Sequence, residues 1–442
     1  MVHSDRGRDK EREGPRTDGP GTEDGPRTED GPRTKDGPRT KAQGPRTTVF
    51  SSRIPPSLAP NRLGHAVLEQ RRTGRPFIDL TESNPTRVGF TYPPDLLAPL
   101  ANPRALGYEP WPCGAIDARR AIAGDYGRLG VIVPPDRIVL TASTSDAYSL
   151  LFKLLADAGD EVLVPRPSYP LFDHLTRFDL VEAHPYDLDL HGSWSIDFGS
   201  LERALTPRTR AVLVVSPNNP TGSFVTDAEL DRLAVLCAPR DIAIIADEVF
   251  ADYELEPGAS SAAGRAARRR EVLSFALGGL SKSVGLPQVK LGWIAVAGPD
   301  DLVGAALERL ELVCDTYLAV STPAQVAAAE LLERGAAIRS QILARIATNY
   351  RWLRSTVAGV PSCDVLRSGG GWSAVLQVPS LEPEEDLVVR LLTADGVLTH
   401  PGYFFDFPRE SFLVVSLLPP APSFADGIVR VLRHFACRAS RP

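Results

Sequence analysis

Six short apolar runs, none of them alternating with polar residues, constrain the fold of this chain more than any other feature; they cover 138–140, 161–164, 211–215, 242–246, 272–275 and 291–297. A strand with one wet face alternates, whereas a strand covered on both faces does not. Runs of this length bounded by polar, Gly or Pro residues therefore predict a mostly parallel sheet flanked by helices, an α/β fold. The intervening segments agree. Over 145–158, Ala147, Leu150, Leu151, Leu154 and Leu155 share one helical face, Thr144 or Ser145 is the natural N-cap, and Gly159 ends the element. Further helices are predicted over 227–237 and across the Ala-rich 323–348. Beyond residue 360, alternating strands (372–378, 412–417) mix with helices (383–394, 425–435), the pattern of a smaller α+β domain.

The first 48 residues contrast with all of this. From Gly19 the chain repeats GPGTED, GPRTED, GPRTKD and GPRT, with further GPRT copies at Gly14 and Gly44. Such a tract has too little apolar surface to offset the entropy of ordering it, so a disordered low-complexity tail is expected over 1–48.

Charge and cysteine usage exclude several function classes. A formal net charge of −6 leaves no polycationic face, so nucleic acid is not an expected partner. The five cysteines (Cys113, Cys237, Cys314, Cys363, Cys437) form no CxxC pair and show no metal-ligand spacing, so neither a disulfide framework nor a metal site is expected. No apolar run approaches the roughly 18 residues of a membrane span, and the polar start MVHSDRGRDKEREG lacks a secretory core; a cytoplasmic protein is expected.

One lysine stands in unusual company. Lys282 lies in ALGGLSKSVGLPQVKLGW (276–293), between two predicted strands and among Gly278, Gly279, Ser281, Ser283 and Gly285, small residues that let a planar ligand approach the backbone. Ser143, Thr144 and Ser145 open a helix just after an apolar strand, where unpaired N–H groups and hydroxyls make a phosphate cradle or simply a good cap. Asp247 closes the run IIAD, at the strand edge where open α/β sheets bind ligands.

With these segments in this order, the sequence resembles the class I/II aminotransferases, fold-type I enzymes dependent on pyridoxal phosphate. The likeness rests on Ser281, Lys282, Lys290, Gly292 and Trp293 as S-K, six residues, a cation and G-W. It also rests on Ser143-Thr-Ser145, on Pro165-Arg-Pro-Ser-Tyr169, on Ser216-Pro-Asn-Asn-Pro-Thr-Gly222 and on Asp247-Glu-Val-Phe250. The resemblance implies a large domain (94–320) with a seven-stranded, mostly parallel sheet and a small α+β domain (321–442). Segment 49–93 would belong to the small domain and the edge of the active site.

It also assigns roles. Lys282 would hold the cofactor as a Schiff base, and Asp247 would keep the pyridine nitrogen protonated so that the ring acts as an electron sink. Tyr169 would stack on the ring and Asn219 would meet its phenolic oxygen. Ser143, Thr144, Ser145 and Lys290 would hold the phosphate, Ser281 would also bind the cofactor, and Tyr108, in GYEP, would reach the phosphate of a neighbouring subunit in a homodimer. The expected reaction moves an amino group from an amino acid or amine to a 2-oxo acid. Lyase, decarboxylase or racemase chemistry on the same fold, or a non-catalytic cofactor-binding regulator, are the alternatives.

Three positions depart from the family pattern. Lys290 replaces an arginine and loses its planar fork. Phe250 replaces a tyrosine. Val414, in FLVVS, stands where the family keeps the arginine that grips the substrate carboxylate. Either Arg87 (in SNPTR, with Ser83 and Asn84) or Arg409 substitutes for it, or the substrate is not an ordinary α-amino acid.

Overall fold

The structure, a computed structural model, describes residues 49–260 and 264–439, and the tail expected over 1–48 lies outside the described residues. The strands, in chain order, are β1 (Ile78–Asp79), β2 (Ile138–Thr141), β3 (Glu161–Arg166), β4 (Glu182–Leu190), β5 (Trp194–Ile196), β6 (Thr209–Val215) and β7 (Ala243–Asp247). After them come β8 (Ser274–Gly279), β9 (Gly292–Ala297), β10 (Asp364–Val365), β11 (Ser373–Gln377), β12 (Val397–Leu398), β13 (His400–Pro401) and β14 (Phe412–Ser416). Eight of them form one sheet in the order β2-β9-β8-β7-β6-β3-β4-β5. β4, β3, β6, β7 and β8 run parallel, whereas β9 is antiparallel to both β8 and β2.

The sheet thus has one strand more than the seven expected. The additional strand is β5, three residues paired antiparallel to β4 at the edge. It is held there by Glu229, whose carboxylate accepts from Ile196 N at 2.9 Å.

The unalternated runs are explained by two cores, one on each face. Leu213, Val215, Ala243, Ile245, Phe275 and Leu277 pack with Ala147 and Leu151 of α3 (Thr144–Leu155) and with Val303 and Leu310 of the helix Asp300–Tyr317. Their neighbours Val212, Val214, Ile244, Ala246 and Ala276 belong to the opposite core, with Ile122, Leu233 and Ile342 from other helices. Successive side chains alternate between two dry faces, so nearly every position is apolar.

A second sheet, β10-β11-β14-β13, is antiparallel, and the pair β1-β12 joins the N-terminal segment to the C-terminal part of the chain. Among the described residues no helix is long and apolar enough to cross a membrane.

The topology fixes where a ligand can bind. From β3 the chain proceeds outward to β4, whereas β6, β7 and β8 build in the other direction. Strand order reverses between β3 and β6, and the crevice beyond the carboxyl ends there is open to a ligand. Those ends lead into the Tyr169 loop, the Asn219 turn and Asp247.

Candidate active site

A cleft of about 330 Å³ lies at this switch point. It is lined by Ser83, Ser143, Thr144, Ser145, Tyr169, Asn219, Asp247, Phe250, Ser281 and Lys282, ten of the residues singled out from sequence. Tyr148, Trp372 and Ser373 line it too and were not anticipated.

One wall is the start of α3. Its N-cap is Ser143, not Thr144 or Ser145: Ser143 Oγ accepts from Asp146 N at 3.1 Å, which frees the next two hydroxyls. The unpaired N–H groups of this turn carry the positive end of the helix dipole, an arrangement suited to an anion. One turn further on, Tyr148 OH donates to Asp247 Oδ2 at 3.0 Å, and Val249 N donates to Asp247 Oδ1 at 3.1 Å.

Burial pushes the Asp247 carboxyl above the usual carboxylate range, although the Val249 N–H, the Tyr148 hydroxyl and the Lys282 charge oppose the rise. Burial also pulls the Lys282 amine below the ordinary lysine range, with Asp247 opposing. Both shifts have one origin, since desolvation disfavours each charged form. The lysine amine sits 4.9 Å from the Trp372 ring centroid and 5.5 Å from that of Phe250. It therefore rests against aromatic faces that tolerate either protonation state.

Two adjacent asparagines divide the work of the 216–222 turn. Asn218, buried, donates from Nδ2 to Pro167 O at 3.0 Å and to Thr221 Oγ1 at 2.9 Å, and its Oδ1 accepts from Ser168 Oγ at 3.2 Å. It locks the turn to the Tyr169 loop. Asn219 reaches the cleft instead, where Oδ1 accepts from Ser373 Oγ at 3.3 Å, leaving its amide group for a ligand. Gly222 closes the turn at φ 69°, where a Cβ would collide with Ser368.

Other expected residues are not brought to the lining. Val284, Leu286, Val289 and Leu291 turn inward in the loop after Lys282, which leaves Lys290 exposed at φ 59°. Asn84 caps the turn Pro85–Arg87 by accepting from Thr86 N at 3.0 Å, and Arg87 at its end is exposed. Arg409 is exposed with its guanidinium 5.5 Å from the Phe412 ring centroid, and Tyr108 is 72% exposed. Val414 is buried in an apolar cluster with Trp194, Val375, Phe405 and Phe407. Among the described residues that line the cleft, Lys282 carries the one cationic group.

Away from the cleft, three side chains of metal-ligating type, Glu161, Glu182 and His184, lie together. Arg208 Nη2 lies 2.5 Å from Glu161 Oε1, so a cation already balances the cluster.

The amino-acid sequence matches the family model for class I and II aminotransferases over residues 100–421. The chain belongs to that family. It is 28% identical to an alanine aminotransferase of Mycobacterium tuberculosis over 375 residues, covering 81% of this chain and 85% of the relative. A glutamate-pyruvate aminotransferase of Haemophilus influenzae is 24% identical, with 84% and 93% covered. The fold matches that of an alanine aminotransferase from Pyrococcus furiosus with a TM-score of 0.75 at 23% identity, over 85% and 97% of the two chains. The protein is an aminotransferase with the fold-type I architecture.

Proposed function

We propose that this aminotransferase uses pyridoxal 5'-phosphate to move an amino group from an amino acid or amine to a 2-oxo acid, and that it works as a cytoplasmic homodimer in a biosynthetic process. The observation that carries the reading is convergence: a half-buried lysine, a half-buried carboxylate and an anion-ready helix start line one cleft at the sheet's switch point. This donor set fits the cofactor. The start of α3 with Thr144, Ser145 and Ser281 would hold the phosphate, Asn219 the ring oxygen, Tyr169 and Phe250 the ring faces, and Asp247 the ring nitrogen. When bound, the cofactor supplies an electron sink for the carbanion formed at the substrate Cα.

The chain's own residues supply the rest. Burial makes Lys282 Nζ give up its proton more readily than an ordinary lysine, so its lone pair can bond covalently to a carbonyl carbon and, once displaced, take and return the Cα proton. Tyr148, donating to Asp247, aims that carboxylate and favours its ionised form against the effect of burial. The wall of Tyr169, Leu171, Phe172, Leu175 and Trp372 keeps water scarce around the amine. Such a lining favours donors with apolar bodies over acidic ones.

Borohydride reduction of the purified protein with excess cofactor tests the assignment. The expected product is one modified peptide containing Lys282, absent in Lys282→Ala, and a different modified lysine would overturn it. Substrate class is read from the half-reaction with an amino-donor panel. Alanine, aromatic amino acids and alkyl amines are expected to react faster than aspartate.

A further inference from the structure

Lys282 projects from α7 (Leu280–Ser283), a helix of one turn. So short an element barely closes its own hydrogen bonds, and the carbonyl groups at its end need donors from elsewhere. Backbone help is weak: Gly285 N reaches Lys282 O at 3.3 Å. The strong donors are two side chains from distant parts of the sequence. Tyr253 OH donates to Lys282 O at 2.5 Å and lies 3.4 Å from Ser283 O, while Arg339 Nε donates to Ser283 O at 2.8 Å.

Both donors are themselves fixed. Tyr253 is fully buried, and its ring meets Trp372 edge to face at 5.1 Å, the same indole over which the lysine amine rests at 4.9 Å. Arg339, in the helix Thr322–Val357, sits in a network of two arginines and two aspartates. Its Nη2 is 3.4 Å from Asp125 and its Nε 3.7 Å from Asp252. Arg128 completes the square at 3.1 Å from Asp125 and 2.5 Å from Asp252. The side chains of Asp252 and Arg339 are only 6% and 12% exposed, so salt screens this network little.

We infer that Tyr253 and Arg339 are positioning residues for Lys282. They hold the backbone from which the amine projects, and Tyr253 also braces, through Trp372, the aromatic face that keeps the amine dry. The inference rests on the reading of Lys282 as the reactive lysine. Neither residue itself lines the cleft, so each acts through residues that do: Arg339 by way of the Lys282 turn, Tyr253 by way of that turn and Trp372.

Tyr253→Phe removes one hydroxyl and keeps the ring, and Arg339→Lys keeps the charge but loses the Nε donor. In the cofactor-free protein, acetylation of Lys282 is followed against pH by mass spectrometry of its peptide. A freed turn lets water reach the amine, so the midpoint is expected to rise in both variants, toward the ordinary lysine range. With cofactor bound, the half-reaction rate is expected to fall roughly tenfold to a hundredfold, as for a reacting group displaced by about 1 Å, with donor affinity unchanged. If either variant folds and shows the wild-type midpoint and rate while melting at a lower temperature, the two side chains only stabilise the fold and the inference fails. Should Tyr253→Phe not fold, Arg339→Lys decides alone. A wild-type protein in which borohydride traps no cofactor at Lys282 would instead refute the assignment of the lysine itself.

Discussion

At the residue scale, the pair Asp247 and Lys282 shows how a site can hold strain until its ligand arrives. The Asp247 carboxyl is raised above its unfolded value, so the folded state binds the extra proton in the window above pH 3.8. Stability therefore falls as pH climbs through the folded pKa, where the carboxyl takes on its charge away from water. Lys282 has the reverse sign. Its folded pKa is depressed, so stability rises with pH across the window between the folded and unfolded values. Asp247→Asn removes the buried charge and is expected to leave the cofactor-free protein melting at or above the wild-type temperature. It should also lose about a hundredfold or more in half-reaction rate, because a neutral amide cannot hold a ring nitrogen cationic. Scanning calorimetry and stopped-flow spectra check the two halves; a variant that melts lower yet reacts normally would contradict both. The residues that sequence could find were those with a local signature, such as Lys282 among small residues and Asp247 at a strand end. Tyr148 looked like one more residue of an apolar helix, and Trp372 like the first residue of a strand; only the approach of distant elements makes them site residues. That Arg87 and Arg409 do not line the cleft has the same origin, since their order along the chain says nothing of which way an exposed side chain points.

At the element scale, the parallel strands were legible because burial on both faces leaves a signature that needs no partner to be read. Two errors mark the limit. The run over 272–275 overlaps only the start of β8, which begins at Ser274 and continues to Gly279. Its two glycines, read as loop, are strand residues: a Cβ on Gly278 would lie 2.5 Å from Trp293 Nε1, and one on Gly279 would press on Gly292 at 3.3 Å. Close packing against β9, not a turn, demands them. β4 was missed because its burial is partial and broken by charged residues, as befits a strand near the sheet edge. The start of α3 offers a test at this scale. Ser143→Ala removes the cap on Asp146 N, which should cost about 1 kcal/mol of stability. Because the same turn offers the anion site, inorganic phosphate should protect the cofactor-free wild type against heating more than it protects the variant. Equal protection in the two proteins would separate the cap from the cradle.

At the scale of the whole molecule, the proposed homodimer would have exposed apolar side chains to cover. Leu106 is 90% exposed, Tyr108 72%, Tyr317 63% and Leu318 68%, large apolar side chains that a solitary subunit would leave in water. Tyr108 lies outside the cleft lining of its own subunit, so if it serves a cofactor phosphate that phosphate belongs to a second copy. A two-fold arrangement makes the exchange reciprocal, each subunit lending Tyr108 to the other's site. Sedimentation at micromolar concentration is expected to show a dimer. The sharing itself is tested by mixing two inactive variants, Tyr108→Ala and Lys282→Ala, after dissociation and reassembly. Each mixed dimer would contain one site built from an intact Lys282 and an intact Tyr108, and one site lacking both. Random pairing makes half of the dimers mixed, so about a quarter of the wild-type activity should return if each site works independently. If Tyr108 acted within its own subunit, every site in the mixture would lack one of the two residues and no activity would return.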